Sequence, residues 1–198
     1  KKMLVEMEKN FEGYSRSVKE VLRACRTIPE FGKGIRGALA QIIEVEARYE
    51  TAVEMALGGA LQNIVTENEE DAKKAIEFLK KEHLGRATFL PITTVRERNL
   101  DRDTASQVKS FPGFCGIASE LVACSPEYKG IISNLLGRVV VAANLESAIK
   151  MARHFKYGFR IVTLEGDILS TGGAITGGSV EKSSAGILSR NREIAELD

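Results

Sequence analysis

The sequence predicts a mixed α/β protein with two pseudo-repeated subdomains, each built on a mixed sheet, between two helix ends that form an antiparallel coiled coil. Three observations carry this prediction. A heptad pattern occupies the N-terminal end, a strand–helix–strand unit occurs twice in the middle, and a glycine-rich extended run precedes the last helix. With 198 residues, the chain is long enough to bury a hydrophobic core.

The N-terminal end carries an apolar seam at coiled-coil spacing. Alternate steps of three and four residues meet Leu4, Met7, Phe11, Tyr14, Val18, Val21 and Cys25. This is the a/d pattern of a coiled coil over about three heptads. Gly13 inside the pattern costs roughly 1 kcal/mol relative to alanine. An amphipathic helix packed on a globular core is an equally good interpretation of this segment.

The C-terminal end begins a second helix, with Ile187, Ile194 and Leu197 on one face. The chain starts with Lys-Lys-Met and stops inside this helix, so we expect a fragment of a longer protein. If the two ends lie close together, their helices pair as antiparallel strands of one coiled coil.

Two segments in the middle share one pattern: "NIVTENEEDAKKAIEFLKKEHLGRATFL" and "RVVVAANLESAIKMARHFKYGFRIVTL". Each opens with a β-branched run typical of a buried strand. An asparagine follows, Asn68 or Asn144, which is well suited to cap a helix. A second strand closes each unit, and the length of the crossover predicts a parallel pair of strands. Chance similarity between two such units is the alternative.

Ahead of these units, "GALAQIIEV" and "SELVAC" each predict a strand that leads into a helix. The predicted organisation is an incoming coiled-coil helix over 1–28, a first subdomain over 29–98, a connecting segment over 99–113, a second subdomain over 114–182 and the start of an outgoing helix over 183–198.

Composition excludes several classes of protein. The net charge of +1 gives no overall attraction to nucleic acid or to anionic membranes. The apolar runs are too short to span a bilayer. Three cysteines without Cys-x-x-Cys spacing argue against a disulfide framework or a zinc site, and favour a reducing cytoplasm. His83 and His154 each lie near the predicted end of a helix rather than in a metal site.

The motifs predict no enzyme and no cofactor. "GKGIRG" at 32–37 matches the dinucleotide fingerprint, but no buried strand precedes it and a strand, not a helix, follows it. The sequence has no phosphate-binding P-loop motif, and its two histidines support no catalytic triad. Acidic residues such as Glu70 are followed by lysines at helical spacing, which is typical of a solvated face.

The segment "GDILSTGGAITGGS" at 166–179 contains two Gly-Gly pairs. A phosphate loop should lead into a helix, and a linker should lack Ile175 and the apolar residues before it. Glycines in an extended run instead mark the close approach of another backbone. The predicted contact with another protein chain consists of Gly172, Gly173, Ala174, Ile175, Thr176, Gly177 and Gly178.

The order of these motifs resembles a known family. "YETAVEMALGGALQNIVTENEEDAKKAIEFLKKEHLGRATFLPI", "GRVVVAANLESAIKMARH" and "GDILSTGGAITGGS" are similar to the hinge domain of bacterial structural maintenance of chromosomes (SMC) proteins. Together with the helix ends, the resemblance covers nearly the whole chain. It implies a module that lies between two long coiled-coil arms and joins two chains in a ring-like or V-shaped homodimer with two symmetric interfaces, at which the glycine segment lies.

The resemblance also implies a role in chromosome condensation and segregation, in the cytoplasm beside the nucleoid, with ATP bound and hydrolysed by distant head domains. It further implies weak, sequence-independent DNA binding by basic residues near the arms. Candidates by position are Lys19, Arg23, Arg26, Lys33, Arg36, Lys182, Arg190 and Arg192. Two alternatives stay open: a domain that primarily binds nucleic acid, with dimerisation secondary, and a small-molecule regulatory domain.

Overall fold

The N-terminal heptad pattern forms two helices, α1 (Lys2–Lys9) and α2 (Arg16–Thr27), in a computed structural model that describes residues 2–179 and 186–197. Between them, Phe11 and Gly13 take left-handed backbone conformations, with φ of 52° and 90°. The seam residues from Phe11 onward are buried in the main hydrophobic core. A single coiled-coil helix over 1–28 is therefore not what forms, because the second half of the pattern packs on the globular body.

The first half of the body is built on a three-stranded sheet. Its helices and strands are α3 (Pro29–Gly32), β1 (Ile35–Ala38), α4 (Leu39–Ile42), β2 (Glu44–Val45), α5 (Glu50–Leu57), β3 (Ile64–Thr66), α6 (Glu69–Lys81) and β4 (Phe89–Pro91), with 3-10 turns at Ala47–Tyr49 and Gly58–Gln62. The strand order is β1-β3-β4, with β1 antiparallel and β4 parallel to the central strand. The predicted parallel crossover through α6 is confirmed.

The second half is built on a five-stranded sheet. These elements are α7 (Arg102–Lys109), β5 (Phe114–Ile117), β6 (Val122–Ala123), α8 (Lys129–Leu136), β7 (Val139–Ala142), α9 (Leu145–His154), β8 (Arg160–Thr163), β9 (Ile168–Leu169) and β10 (Ile175–Thr176), with 3-10 turns at Ala118–Leu121 and Pro126–Tyr128. The sheet order is β10-β9-β8-β7-β5, and only β7 and β8 are parallel. The mixed α/β prediction is confirmed.

Neither segment expected to be a strand is a strand throughout: "GALAQIIEV" is interrupted by a helical turn, and "SELVAC" begins inside the 3-10 turn Ala118–Leu121 before β6. In "GALAQIIEV", β1 ends at Ala38, α4 follows and β2 comes last. The reason is burial, because Ala38, Leu39 and Ala40 are all completely buried, whereas a strand would turn alternate side chains to opposite faces. β2 then pairs antiparallel with β6, which joins the two halves of the body.

The last helix, α10 (Ile187–Glu196), contacts α1 and starts beside the end of the N-terminal arm. A Cβ atom on Gly13 would lie 3.4 Å from Cγ1 of Ile187. The C-terminal end of α1 therefore lies near the N-terminal end of α10, which is the antiparallel arrangement that the sequence predicts. No helix in the described ranges is long and apolar enough to cross a membrane.

Both predicted asparagine caps form. Oδ1 of Asn68 accepts a hydrogen bond from the backbone N–H of Asp71 at 3.0 Å, and Oδ1 of Asn144 accepts one from Ser147 at 2.8 Å. These bonds satisfy N–H groups that have no partner inside the helix. Each crossover helix thus begins directly after its buried strand.

We expect Asn68→Ala to lower the free energy of unfolding by about 1 kcal/mol, because it removes the acceptor at the start of α6. Urea denaturation of the chain measures this value. Asn68→Asp is the control, since its carboxylate keeps the acceptor. Equal losses in the two variants would contradict a capping role for this side chain.

Candidate interaction site

The glycine segment forms a β-hairpin at the outer edge of the five-stranded sheet. Ile175 pairs with Leu169 and Thr176 with Ile168, which places β10 outermost. One extended run was expected after the turn at Gly166, but the chain reverses again before β10. The N–H of Gly173 donates to the carbonyl of Ser170 at 2.9 Å, and Gly173 has a φ of 88°. A left-handed residue at this place makes the reversal possible.

All seven residues predicted to contact another chain lie together on this hairpin, and all are exposed. Ile175 is 51% exposed although it lies in a strand. The outer side of β10 carries no further strand in the described part of the chain. A strand edge with unpaired backbone groups and an exposed isoleucine is suited to pairing with another strand.

The hairpin glycines differ in what requires them. Gly173 and Gly178 have positive φ, and a Cβ on Gly177 would clash with the side chain of Asp167. Gly172 has neither constraint, because its φ is unexceptional and a Cβ there would meet no atom within 4 Å. Nothing in the described residues explains a glycine at 172. The close approach of a second chain would explain it.

A second open edge lies on β4, in the other sheet. The N–H of Ile64 donates to the carbonyl of Thr88, and the N–H of Ile92 donates to the carbonyl of Thr66, both at 2.9 Å. Because alternate residues of β4 bond inward, Phe89 and Pro91 face the open side. Proline lacks an N–H, so an outward position on an edge strand is where a sheet tolerates it. Sequence reasoning did not name this edge, although the proline in the strand was the available signal.

Helix α10 is attached to the body at its first turn through Glu54 of α5. The N–H of Leu188 donates to Oε1 of Glu54 at 3.0 Å. Burial raises the pKa of the Glu54 carboxyl, the hydrogen bond from Leu188 opposes the rise, and the nearby Glu50 adds to it. The start of the arm therefore rests on a carboxyl group whose burial makes its charged form less favourable than in water.

Two further polar contacts hold α10 to the body one turn later. Nε of Arg192 donates to Oε1 of Glu50 at 2.6 Å, while its Nη1 donates to Glu196 of the same helix at 2.8 Å. The side-chain amide of Asn191 donates to the carbonyl of Ala40 at 2.8 Å. The Glu50 contact is half-buried and charge-assisted, so it is stronger than an exposed ion pair.

The basic residues expected to bind DNA divide into two groups. On α2, Lys19, Arg23 and Arg26 follow helical spacing along one face, and the two arginines are exposed. Lys33 and Arg36 are exposed on the following segment, where Arg36 lies 3.5 Å from Glu127 of the second half. These five side chains lie on the first half of the body.

The remaining candidates lie on or near α10, and two of them have internal partners. Arg190 is only 5% exposed, and its Nη2 donates to the carbonyl of Glu12 at 2.6 Å. Arg192 is neutralised by Glu50 and Glu196. The burial of Arg190 and the pairing of Arg192 both disfavour direct phosphate contact, and DNA binding by these two residues stays a prediction. Lys182 lies outside the described residues.

In the residues that the structure describes, neither metal-ligating side chains nor the Cys25 thiol are arranged for chemistry. No three His, Cys, Asp or Glu side chains gather there into a possible metal site. The three cysteines are free and half-buried, and burial raises the pKa of the Cys25 thiol to about 11, which disfavours the nucleophilic thiolate. The loop at 32–37 leads into β1, so its glycines do not open a helix.

A mixed α/β body with two open strand edges, carried on a pair of antiparallel helices, defines a class of association domain at the end of an arm. Comparison with known proteins agrees. The model of the family described as "SMC proteins Flexible Hinge Domain" matches residues 32–152. The chain therefore belongs to the family of SMC hinge domains.

The relatives support this membership over the whole chain. The Chromosome partition protein Smc of Bacillus subtilis is 43% identical over 197 residues, which cover all of this chain and 16% of that protein. The Smc protein of Halothermothrix orenii is 46% identical over 98% of this chain and 16% of its own length. The chain thus spans about one sixth of these relatives.

Solved structures share the fold. An asymmetric dimer of the Geobacillus stearothermophilus SMC hinge domain matches 99% of this chain and 77% of its own chain, with a TM-score of 0.89 and 44% identity. The Pyrococcus furiosus SMC hinge domain matches 91% of this chain and 93% of its own, with a TM-score of 0.67 and 29% identity.

The raised pKa of Glu54 predicts a pH dependence. As the pH falls from neutrality through this pKa, the buried carboxyl takes up a proton and loses its desolvation cost. The wild-type chain should therefore gain free energy of unfolding relative to Glu54→Gln, and the gain should be complete below the ordinary glutamate pKa of about 4.3.

Denaturant titrations of both proteins across this pH range measure the difference. Glu77→Gln, at an exposed position of α6, is the control for general titration of carboxyl groups. A difference between wild type and Glu54→Gln that stays constant with pH would contradict the prediction.

Proposed function

We propose that this domain joins two copies of a longer coiled-coil protein into a homodimer that acts in chromosome condensation and segregation. The observation that carries the proposal is the open glycine edge, and above all Gly172, which nothing in its own chain requires to be glycine. The matched hinge domain of Geobacillus stearothermophilus, which is described as an asymmetric dimer, supports it. Chromosome partition proteins among the relatives support the wider role.

The two open edges suggest how the copies meet. Strand β10 of one protomer pairs with the β4 edge of its partner, and the same contact repeats about a two-fold axis. Each protomer then supplies one edge of each kind, and the pair closes as a ring with two equal interfaces. The Gly172 position lets the two backbones approach closely, while Ile175 is covered on association.

Within the longer protein, this domain has a mechanical and not a chemical role. Because it spans about one sixth of its relatives, we assign ATP binding and hydrolysis to parts of the protein outside this chain. We propose that the domain itself is no enzyme and needs no cofactor, and that it works in the cytoplasm beside the nucleoid. The antiparallel helices α1 and α10 begin the arm that connects it to those parts.

Gly172→Leu should convert the dimer into a folded monomer. The added Cβ atom meets no atom of its own protomer within 4 Å, but the side chain blocks the approach of a second backbone. We expect the dissociation constant to rise at least about tenfold, equivalent to 1.4 kcal/mol. Light scattering after size exclusion over a wide concentration range measures it, and circular dichroism reports the fold.

Gly130→Leu is the matched control. This glycine lies in α8, and a Cβ there would meet only Cγ of Glu97, at 3.9 Å. A control that also becomes monomeric, or a wild-type chain that is monomeric at every concentration, would overturn the proposal. Unfolding of Gly172→Leu would show that the glycine serves its own protomer.

A second candidate function is weak, sequence-independent DNA binding by α2. The observation that favours it is the placement of Lys19, Arg23 and Arg26 along one side of α2. Arg23 also pairs with Glu20 at 2.9 Å, and Arg26 donates to the carbonyl of Lys9 at 3.0 Å, but both arginines stay exposed. Phosphate contacts of this kind give affinity without sequence preference. If DNA binding were the primary function, affinity would survive in the monomeric Gly172 variant.

Lys19→Gln combined with Arg23→Gln should weaken DNA binding and flatten its dependence on salt. For duplex DNA, loss of two phosphate contacts lowers the slope of log affinity against log salt concentration by roughly 1.8. Fluorescence anisotropy with a labelled duplex at several salt concentrations measures the slope. Lys73→Gln with Lys80→Gln, two exposed positions on α6, is the charge-matched control. Equal slopes in the two double variants would rule out this surface.

A further inference from the structure

A groove of about 880 Å³ lies where the outgoing helix α10 meets the β2–β6 ribbon. We call it the arm-base groove. Its floor is apolar and partly aromatic, and it consists of Tyr14, Ile43, Val45, Leu121, Val122 and Ile194. None of its lining residues belongs to the glycine hairpin or to α2. Its volume is at the upper end of the range for small-molecule sites, and it is open along one side.

The rim of the arm-base groove is acidic. Five glutamates from separate parts of the fold line it: Glu8, Glu44, Glu46, Glu120 and Glu196. All five are exposed. Within the described ranges, Glu8, Glu44 and Glu46 form no ion pair, while Glu120 has only Lys109 at 3.9 Å. The rim therefore attracts a cationic partner and repels a nucleic acid.

The two lining cations do not neutralise this rim. Arg192 already pairs with Glu50 and Glu196. Arg190 is only 5% exposed, and its Nη2 donates a hydrogen bond to the carbonyl of Glu12. Its Nε is closed to solvent and has no hydrogen-bond partner among the residues that the structure describes. A buried charged donor without an acceptor is costly. A ligand in the groove reaches this nitrogen only after the arginine side chain shifts, and the missing acceptor favours that shift.

We propose that the arm-base groove binds a lysine- or arginine-rich amphipathic segment of a partner protein. The basic side chains of such a segment match the free glutamates, and its apolar side chains cover the floor. Its backbone carbonyls are acceptors of the kind that Nε of Arg190 lacks. A polyamine would satisfy the glutamates alone, and DNA would meet the wrong charge.

The position of the groove gives such binding a consequence. One wall is α10, which belongs to the arm, and the other is the β2–β6 ribbon, which belongs to the body. A segment seated between them holds the arm at a fixed angle to the body. The proposal is independent of dimerisation, because none of the groove residues lies on β4 or β10.

Calorimetric titration with a synthetic amphipathic peptide of leucine and lysine tests the proposal at low ionic strength. Its reference is the same peptide with glutamate in place of lysine. We expect the lysine peptide to bind and the glutamate peptide to fail. Glu44→Lys with Glu46→Lys should weaken binding at least about tenfold, because it reverses two rim charges. Glu44→Gln with Glu46→Gln should act in the same direction with a smaller effect.

Glu77→Lys with Glu82→Lys is the matched control, since it makes the same change of net charge at exposed positions on and just after α6. It should leave the affinity within about twofold of wild type, the scale of a change outside the contact surface. Equal loss in the groove and control variants would show that the peptide responds only to net charge, and would overturn the proposal. Circular dichroism establishes that each variant is folded.

A second experiment uses NMR to detect binding at the groove. The Nε–H group of Arg190 gives its own nitrogen–proton resonance, which is assigned because it disappears from the spectrum of Arg190→Lys. Binding of the lysine peptide should shift this resonance when Nε gains an acceptor. An unshifted resonance at saturation, or an equal shift with spermine or with a DNA oligonucleotide, would refute a polypeptide site.

Discussion

The two halves of this domain share one hydrophobic core, and the antiparallel pairing of β2 with β6 joins their backbones. Only two residues of each strand pair, but they fix the first half against the second. The main core then fills across the join, with Val53 and Ile64 from the first half and Ile131 and Val141 from the second. Because both sheets belong to one body, the distance and angle between their open edges, β4 and β10, are fixed. A second copy can engage both edges at once only under that constraint.

Open edges are normally a hazard, and the architecture limits it in two ways. The strand at the hairpin edge pairs over only two residues, and the edge of the three-stranded sheet carries Pro91. Both features restrict pairing to partners of matching shape and length. Charge is divided between faces in a similar way, since α2 presents a basic surface and the arm-base groove an acidic one. A chain with almost no net charge can thus present distinct surfaces to different partners.

Sequence patterns predicted the elements whose signals are local. Strand β7 reads as a β-branched run, and Asn68 and Asn144 occupy the cap positions that they were assigned. Elements decided by long-range burial were missed. The helical turn at Leu39–Ile42 forms because consecutive side chains are buried there. For the same reason, the sequence could not show that Arg190 donates to the carbonyl of Glu12 or that Arg192 pairs with the carboxylate of Glu50, because these partners are distant in the chain. Gly13 was a local signal for the break between α1 and α2, but the regular heptad pattern predicted one continuous helix.

The attachment of α10 has a mechanical consequence. The outgoing helix is tied through Glu54 and Glu50 to α5, and Arg160 of β8 donates to the carbonyl of Ala56 at the far end of that same helix. Tension along the arm is therefore carried by α5, an element of eight residues, into the sheet that ends in the glycine hairpin. This path runs through side-chain hydrogen bonds at both ends of α5, whereas the strands of the sheet are joined by backbone pairing. A pull on the arm therefore reaches the sheet that carries the glycine hairpin through one short helix.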